Sequence, residues 1–184
     1  MKTIVSVHPW DGSFNKAIMN TIIAKWEKEN TPYQIIDLHK DNFNPIFTEE
    51  ELSVYHKGEH LDPLITKYQE ILKETDTIIF LFPIWWATLP AILKGFFDKV
   101  MLYNFAFSYS SDNNLVPLLN IKKSYLITTS AGDTEMFRTP IESFIQMTLM
   151  RVGINDTEWL NCQNVVYGGE EHRKEFLKQI LERV

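Results

Sequence analysis

Apolar and polar residues follow two different periods along this chain, and the switches between them mark out its elements. A largely apolar, β-branched run from Lys2 to His8 predicts a strand. Phe14, Ile18, Ile22 and Trp26 then recur at helical spacing, and Tyr33 to Leu38 returns to a strand pattern, completing one β-α-β unit. Thr48-x-x-Glu51 reads as a capping box for a short acidic helix. Asp62-Pro63 opens another helix, whose apolar stripe is Leu61, Leu64, Ile65, Tyr68, Ile71 and Leu72. Thr77 to Phe82 is apolar throughout, as expected of a strand covered on both faces. Thr88 is placed to cap a helix from Leu89 to Val100, with Pro90 in its first turn. Met101 to Asn120 keeps no period and is long for a connection, which marks it as a functional segment. Lys122 to Thr129 predicts a fourth strand and Asp156 to Asn161 a fifth. Between them, Thr139-Pro140-x-Glu142 combines a cap with a first-turn proline for a helix carrying Ile141, Phe144, Ile145, Thr148, Leu149 and Val152. Glu170 to Val184 closes the chain with Phe176, Leu177, Ile180, Leu181 and Val184 on one helical side.

Five strands alternating with helices define an α/β protein with a five-stranded, doubly wound parallel sheet between two helical layers, in the order 2-1-3-4-5. At 184 residues the chain is expected to form a single domain spanning residues 1–184. A net charge of −6 supplies no basic stripe for a phosphate backbone, which argues against nucleic acid as a partner. No stretch approaches the roughly 18 uninterrupted apolar residues of a membrane span, and the first strand breaks at His8-Pro9 too early for a signal peptide. A cytoplasmic protein without membrane insertion is expected. Cys162 is the only cysteine, so no internal disulfide can form; with no His or Asp beside it in sequence, it reads as a small buried apolar residue.

In this strand order a ligand belongs where the loops after the first, third and fourth strands converge: His8 to Phe14, Pro83 to Thr88 and Thr128 to Asp133. The first loop has neither Gly-x-Gly-x-x-Gly nor a Walker Gly-Lys-Ser/Thr, so neither a dinucleotide fold nor an NTPase is indicated. Ser13, Asn15 and the free amides of the helix that follows are able to hold phosphate oxygens, although Ser13 is equally an ordinary helix cap. The Pro83-Ile84-Trp85-Trp86 loop can lay donors and flat rings along a planar heterocycle. The small residues of Thr128-Thr129-Ser130-Ala131-Gly132 allow close backbone approach to a ring edge. His56 and His60 stand i,i+4, but Gly58 lies between them and no third ligand is evident, so no metal is assigned.

His8-Pro9 with Ser13-Phe14-Asn15, Asp37-Leu38 followed by Asn42-Phe43-Asn44-Pro45, Phe82-Pro83-Ile84-Trp85-Trp86, Leu89-Pro90-Ala91-Ile92-Leu93-Lys94-Gly95, Phe105-Ala106-Phe107 and Thr128-Thr129 together carry a family resemblance. In this order the chain resembles the flavodoxin-like NAD(P)H:quinone oxidoreductases, the family of DT-diaphorase, its bacterial relatives and the oxidoreductases ancillary to potassium-efflux systems. The resemblance implies a flavodoxin-like three-layer sandwich and a non-covalent flavin, FAD or FMN, with NAD(P)H as reductant. It implies His8, Ser13, Phe14 and Asn15 around the flavin phosphates, and Pro83, Ile84, Trp85, Trp86, Thr128, Thr129, Ser130 and Gly132 along the ring system. Trp86, Thr129 and Phe107 would stand at the reacting ring. It further implies a homodimer with the site at the interface, Phe105 and Phe107 roofing the partner's flavin, and Met147 and Met150 are placed to join that interface.

Two departures from the family pattern bear on chemistry. Thr128-Thr129-Ser130-Ala131-Gly132 replaces Thr-Thr-Gly-Gly, and the Tyr/His pair that often follows has no counterpart, since no histidine occurs between His60 and His172. Negative charge on the reduced flavin must then be met by other groups, such as backbone amides of the Thr128 loop. The expected activity is ping-pong two-electron (hydride) reduction of quinone-like acceptors. Azo- or nitro-group reduction at the same flavin, a flavodoxin-type electron carrier and a flavoprotein subunit regulating a membrane transporter are the alternatives.

Overall fold

A computed structural model describes residues 1–184 and places five parallel strands at the centre. They are β1 (Lys2–Ser6), β2 (Tyr33–Asp37), β3 (Thr77–Pro83), β6 (Lys123–Thr129) and β7 (Thr157–Cys162). Two short strands, β4 (Phe107–Tyr109) and β5 (Leu115–Pro117), pair antiparallel outside this sheet. The central order is β2-β1-β3-β6-β7, which is 2-1-3-4-5 once the hairpin is set aside. Every central strand pairs in parallel register, with Ser6 beside Leu81, and Pro83 beside Thr129. The ends of β1, β3 and β6 therefore reach one edge together, at the point where the strand order reverses.

Both faces of the sheet are covered, and β3 alternates accordingly. Ile78, Phe80 and Phe82 join the core beneath α3 (Pro63–Lys73) and α4 (Ala91–Val100); Ile79 and Leu81 face α1 (Phe14–Lys28) and α6 (Gly169–Arg183). Phe96 of α4 centres the first core, with ring contacts to Phe43, Tyr68, Phe80 and Phe97 at 5.6–6.5 Å. Gly95 lets the chain before α2 (Glu49–Tyr55) press onto α4, because a Cβ there would stand 2.4 Å from the Pro45 carbonyl oxygen. The Thr48–Glu51 capping box forms as the sequence predicts.

Three local expectations are corrected. Thr88 does not cap α4: its backbone exchanges two 3.1 Å hydrogen bonds with Trp85, and the buried Pro90 occupies the N-cap with no side-chain bond. The helix after β6 starts earlier than Thr139-Pro140 indicates. A 3-10 turn over Thr134–Phe137 leads into α5 (Arg138–Phe144), so Thr139 lies within the helix and is not its cap, while Pro140 stands in the first turn as the sequence indicates; a π turn over Ile145–Leu149 follows. The Met101–Asn120 segment is not irregular throughout; it folds into the β4–β5 hairpin, turned at Asn113 with φ of 60°. No helix is long and apolar enough to cross a membrane.

Candidate functional site

A cavity of about 310 Å³ opens at the carboxyl edge of β1, β3 and β6, at the lower end of the usual range for small-ligand sites. His8, Ser13, Phe14, Asn15, Pro83, Ile84, Trp85, Thr129 and Ser130 line it, all of them singled out from the sequence. Trp10, Ala131, Val165 and Val166 complete the lining; Trp10 and Ala131 lie within the first and third predicted loops, whereas Val165 and Val166 were not foreseen. Val165 and Val166 follow the last strand, and the rule that strand ends line such sites extends to that segment as well. Of the remaining predicted residues, the chain does not bring Trp86, Phe107, Thr128 or Gly132 into the lining.

The first loop presents donors. Ser13 caps α1 by accepting the Lys16 amide at 3.2 Å, and helix geometry leaves the Phe14 and Asn15 amides without intrahelical acceptors. His8 Nδ1 accepts the Trp10 amide at 3.2 Å, which in the neutral ring leaves Nε2–H as a donor. Burial first, then the charges of His39 and Lys16, hold the His8 imidazole below its ordinary value. Its ring meets Trp85 edge-on at 6.4 Å. Beneath this loop Lys16 Nζ bonds Asp37 Oδ2 at 2.5 Å in a nearly dry setting, tying α1 to the end of β2.

Asn15 bridges two loops. Its Nδ2 donates to Thr129 Oγ1 at 3.1 Å, while Oδ1 is buried with no partner in the chain. A buried amide oxygen left unpaired costs on the order of 1–3 kcal/mol, and the residue that carries it stands in the cavity lining.

The second loop is more committed than its sequence indicates. The Ile84 amide donates to the Thr129 carbonyl at 2.8 Å and the Trp85 amide to Thr88, so neither is free for a ligand. Trp86 and Ala87 take left-handed φ of 49° and 63° at the tip of this turn, and Trp86 is fully exposed. In the third loop the Ser130 amide bonds the Cys162 carbonyl, whereas the Ala131 and Gly132 amides bond nothing in the chain.

Phe107 lies on the hairpin. It packs half-buried against Tyr103 and Tyr109 at 6.1 and 5.8 Å, and with Tyr55 and His56 these rings line a separate surface groove. Cys162 is buried, and burial pushes its thiol up to about 11, which leaves it unreactive at neutral pH. No three His, Cys, Asp or Glu side chains gather as a metal site.

An α/β sheet with its cavity at the switch in strand order, lined by a proline-aromatic loop and a capped helix start, defines the flavodoxin-like class. The chain belongs to the flavodoxin-like fold family, whose model matches residues 2–184. It is 28% identical to an uncharacterized NAD(P)H oxidoreductase of Escherichia coli K12, YcaK, over 98% of this chain and 93% of that one. It is 31% identical to NAD(P)H dehydrogenase [quinone] 1 of Rattus norvegicus over 73% of this chain, and the match spans 54% of the rat protein. An FMN-dependent NADH-azoreductase from Bacillus anthracis, solved in complex with FMN, shares the fold with a TM-score of 0.79 at 20% identity, over 98% of this chain and 95% of that one.

Proposed function

We propose that this protein is a cytoplasmic, flavin-dependent NAD(P)H oxidoreductase that reduces quinone-like acceptors two electrons at a time. The observation that carries this reading is the convergence, around one cavity at the carboxyl edge of the sheet, of a phosphate-suited helix start, a proline-aromatic loop and an open backbone segment. The relatives named as NAD(P)H oxidoreductase and NAD(P)H dehydrogenase [quinone] support the reductant and the acceptor class.

The residues present fit a flavin. The unpaired Asn15 Oδ1 wants a donor, and the His8 Nε2–H with the Phe14 and Asn15 amides offers an anion several. When bound, the flavin supplies the hydride chemistry. The protein's part is to bind, orient and exclude water. His8, Ser13, Phe14 and Asn15 hold the phosphate end. Pro83, Ile84 and Trp85 border the ring system as shape and apolar surface, since the Ile84 and Trp85 amides are already used within the chain. Thr129, Ser130 and the Ala131 amide border the opposite edge, with Thr128 and Gly132 behind them. We further propose a homodimer in which Trp86 walls the ring pocket of its own subunit and Phe105 and Phe107 of the partner subunit roof it.

The test is direct. Purified protein is expected to carry or take up FAD or FMN, identified by mass after heat release, and the bound flavin is expected to bleach on addition of NADH or NADPH and recover on addition of a quinone. A protein that binds neither flavin, or whose flavin no nicotinamide reduces, overturns the proposal.

A further inference from the structure

Three side-chain amides at the end of β7 and just beyond it lace the third loop to the sheet, and the resemblance to known reductases assigned them nothing. Asn161 is the hub. Its Oδ1 accepts the Thr128 hydroxyl at 2.9 Å, and that hydroxyl in turn accepts the Trp159 indole N–H at 2.9 Å. Its Nδ2 donates twice, to Ser130 Oγ at 2.9 Å and to Thr134 Oγ1 at 3.0 Å. Ser130 Oγ then donates to the Gly132 carbonyl at 2.8 Å. Gln163 Oε1 accepts the Thr134 amide at 3.0 Å, and Asn164 Nδ2 donates to Asp133 Oδ1 at 2.8 Å. The chain of bonds runs in one direction, and both Nδ2 hydrogens and the Oδ1 acceptor of Asn161 are used, which makes a connected network stiffer than its separate pairs.

Asn161 thus holds the loop at Ser130 and again at Thr134. Between those two anchors lie the Ala131, Gly132 and Asp133 amides, none of which bonds anything in the chain, and of these three residues Ala131 is the one on the cavity wall. A hydride leaving NAD(P)H carries two electrons and one proton, so it leaves NAD(P)⁺ as product and one negative charge on the ring system that receives it. Donors fixed before the charge appears stabilise it without reorganising. This chain has no histidine between His60 and His172 to meet that charge. We propose that Asn161 is a positioning residue: by bonding Ser130 and Thr134 together it holds the Ala131 amide as the donor that faces the reduced ring. This rests on the flavin reading above, and the experiment separates the two.

Asn161→Leu removes all three bonds while keeping the branching and heavy-atom count of the side chain, and Thr75→Ala is the control. Thr75 bonds Thr3 and the Ile71 carbonyl at 2.7 Å at the opposite edge of the sheet, so its loss lowers stability away from the cavity. In the protein without flavin, amide hydrogen exchange at Ser130 and Thr134 is expected to speed up in Asn161→Leu and not in Thr75→Ala. With flavin bound, Asn161→Leu is expected to weaken binding of the reduced form about tenfold more than the oxidised form, a fall of about 30 mV in midpoint potential for a two-electron couple. Thr75→Ala is expected to leave that potential unchanged. Should Asn161→Leu fail to fold, Gln163→Ala removes one anchor and is read by the same two measurements. Wild-type protein that binds no flavin overturns the flavin reading and this role with it. Wild-type protein that binds flavin, with an unchanged potential in a variant whose loop exchanges faster, leaves the flavin reading standing and reduces Asn161 to a structural lock.

Discussion

Trp86 and His8 show how much one residue's surroundings decide. Trp86 makes no core contact, being fully exposed at the tip of a turn with left-handed φ. Trp86→Ala is therefore expected to change the melting temperature by no more than a surface substitution does, within about 0.5 kcal/mol. If its ring closes the flavin pocket, the same change removes about 0.5–1.5 kcal/mol of stacking, read as a few-fold to tenfold loss in turnover or flavin affinity. Unchanged rate and affinity would take Trp86 out of the site. His8 gives a pH signature. Its pKa in the folded, flavin-free protein lies below 6.5 because burial disfavours the charged ring and His39 and Lys16 repel it. The unfolded chain then binds a proton that the folded one resists, so this contribution to stability is complete above about 6.5 and is lost as pH falls through the folded value. Melting temperatures between pH 8 and 5 should fall less steeply for His8→Gln than for wild type. A phosphate bound beside Nε2 would reverse the shift. An NMR titration of the His8 ring is expected to show its pKa rising on flavin binding; no rise would place the phosphate elsewhere.

At the scale of elements, the central sheet was legible because its signals are local and strong. Thr77 to Phe82 is apolar without interruption, and the structure extends the strand by only one residue, to Pro83. The hairpin of β4 and β5 was hidden because each strand has three residues, too few to establish a period. Its signals were the alternation of Phe105, Phe107 and Tyr109, which indicates an extended segment, and the turn-forming run Asp112-Asn113-Asn114 before Leu115. Thr88 failed as a cap because its backbone is spent on Trp85, a competition that no spacing rule reveals. The site was legible in its loops and hidden in its hydrogen bonds: nothing in the sequence says that Ile84 and Trp85 use their amides internally, or that Asn161 reaches three loop residues. The pairing of α2 with α4 was hidden for the same reason. Lys99 Nζ meets Glu51 Oε1 at 2.7 Å with both side chains nearly dry, and it also donates to the Asn44 carbonyl at 3.0 Å. Lys99→Met leaves the Glu51 carboxylate buried without its partner, and stability is expected to drop by about 3–5 kcal/mol. The double replacement Lys99→Met with Glu51→Leu should recover much of that loss in urea unfolding. A single variant as stable as wild type would show that the pair is open to water.

The whole molecule leaves several large apolar side chains in water: Trp86 entirely, Met147, Met150 and Tyr109 by more than half. Phe107 is half-buried among surface rings and is not part of its own chain's cavity. If a second copy covers these residues, each cavity takes its roof from the other subunit, and activity requires the dimer. Mixing two damaged proteins tests this. Phe107→Ser damages the roof, and Asn15→Leu damages the cavity wall that Asn15 and Thr129 share. With roofs exchanged between subunits, a mixed dimer gathers both lesions in one site and leaves the other site whole. Half the dimers are mixed at equal proportions, so about a quarter of all sites are restored, given two-fold symmetry. With each roof over its own cavity, every site in a mixed dimer keeps one lesion and nothing is restored. Activity should therefore rise from the level of the two separate variants towards about one quarter of wild type as subunits exchange, tracking the mixed dimer in native mass spectra. Proven exchange with no gain, or full turnover by a monomer, would show that each chain works alone.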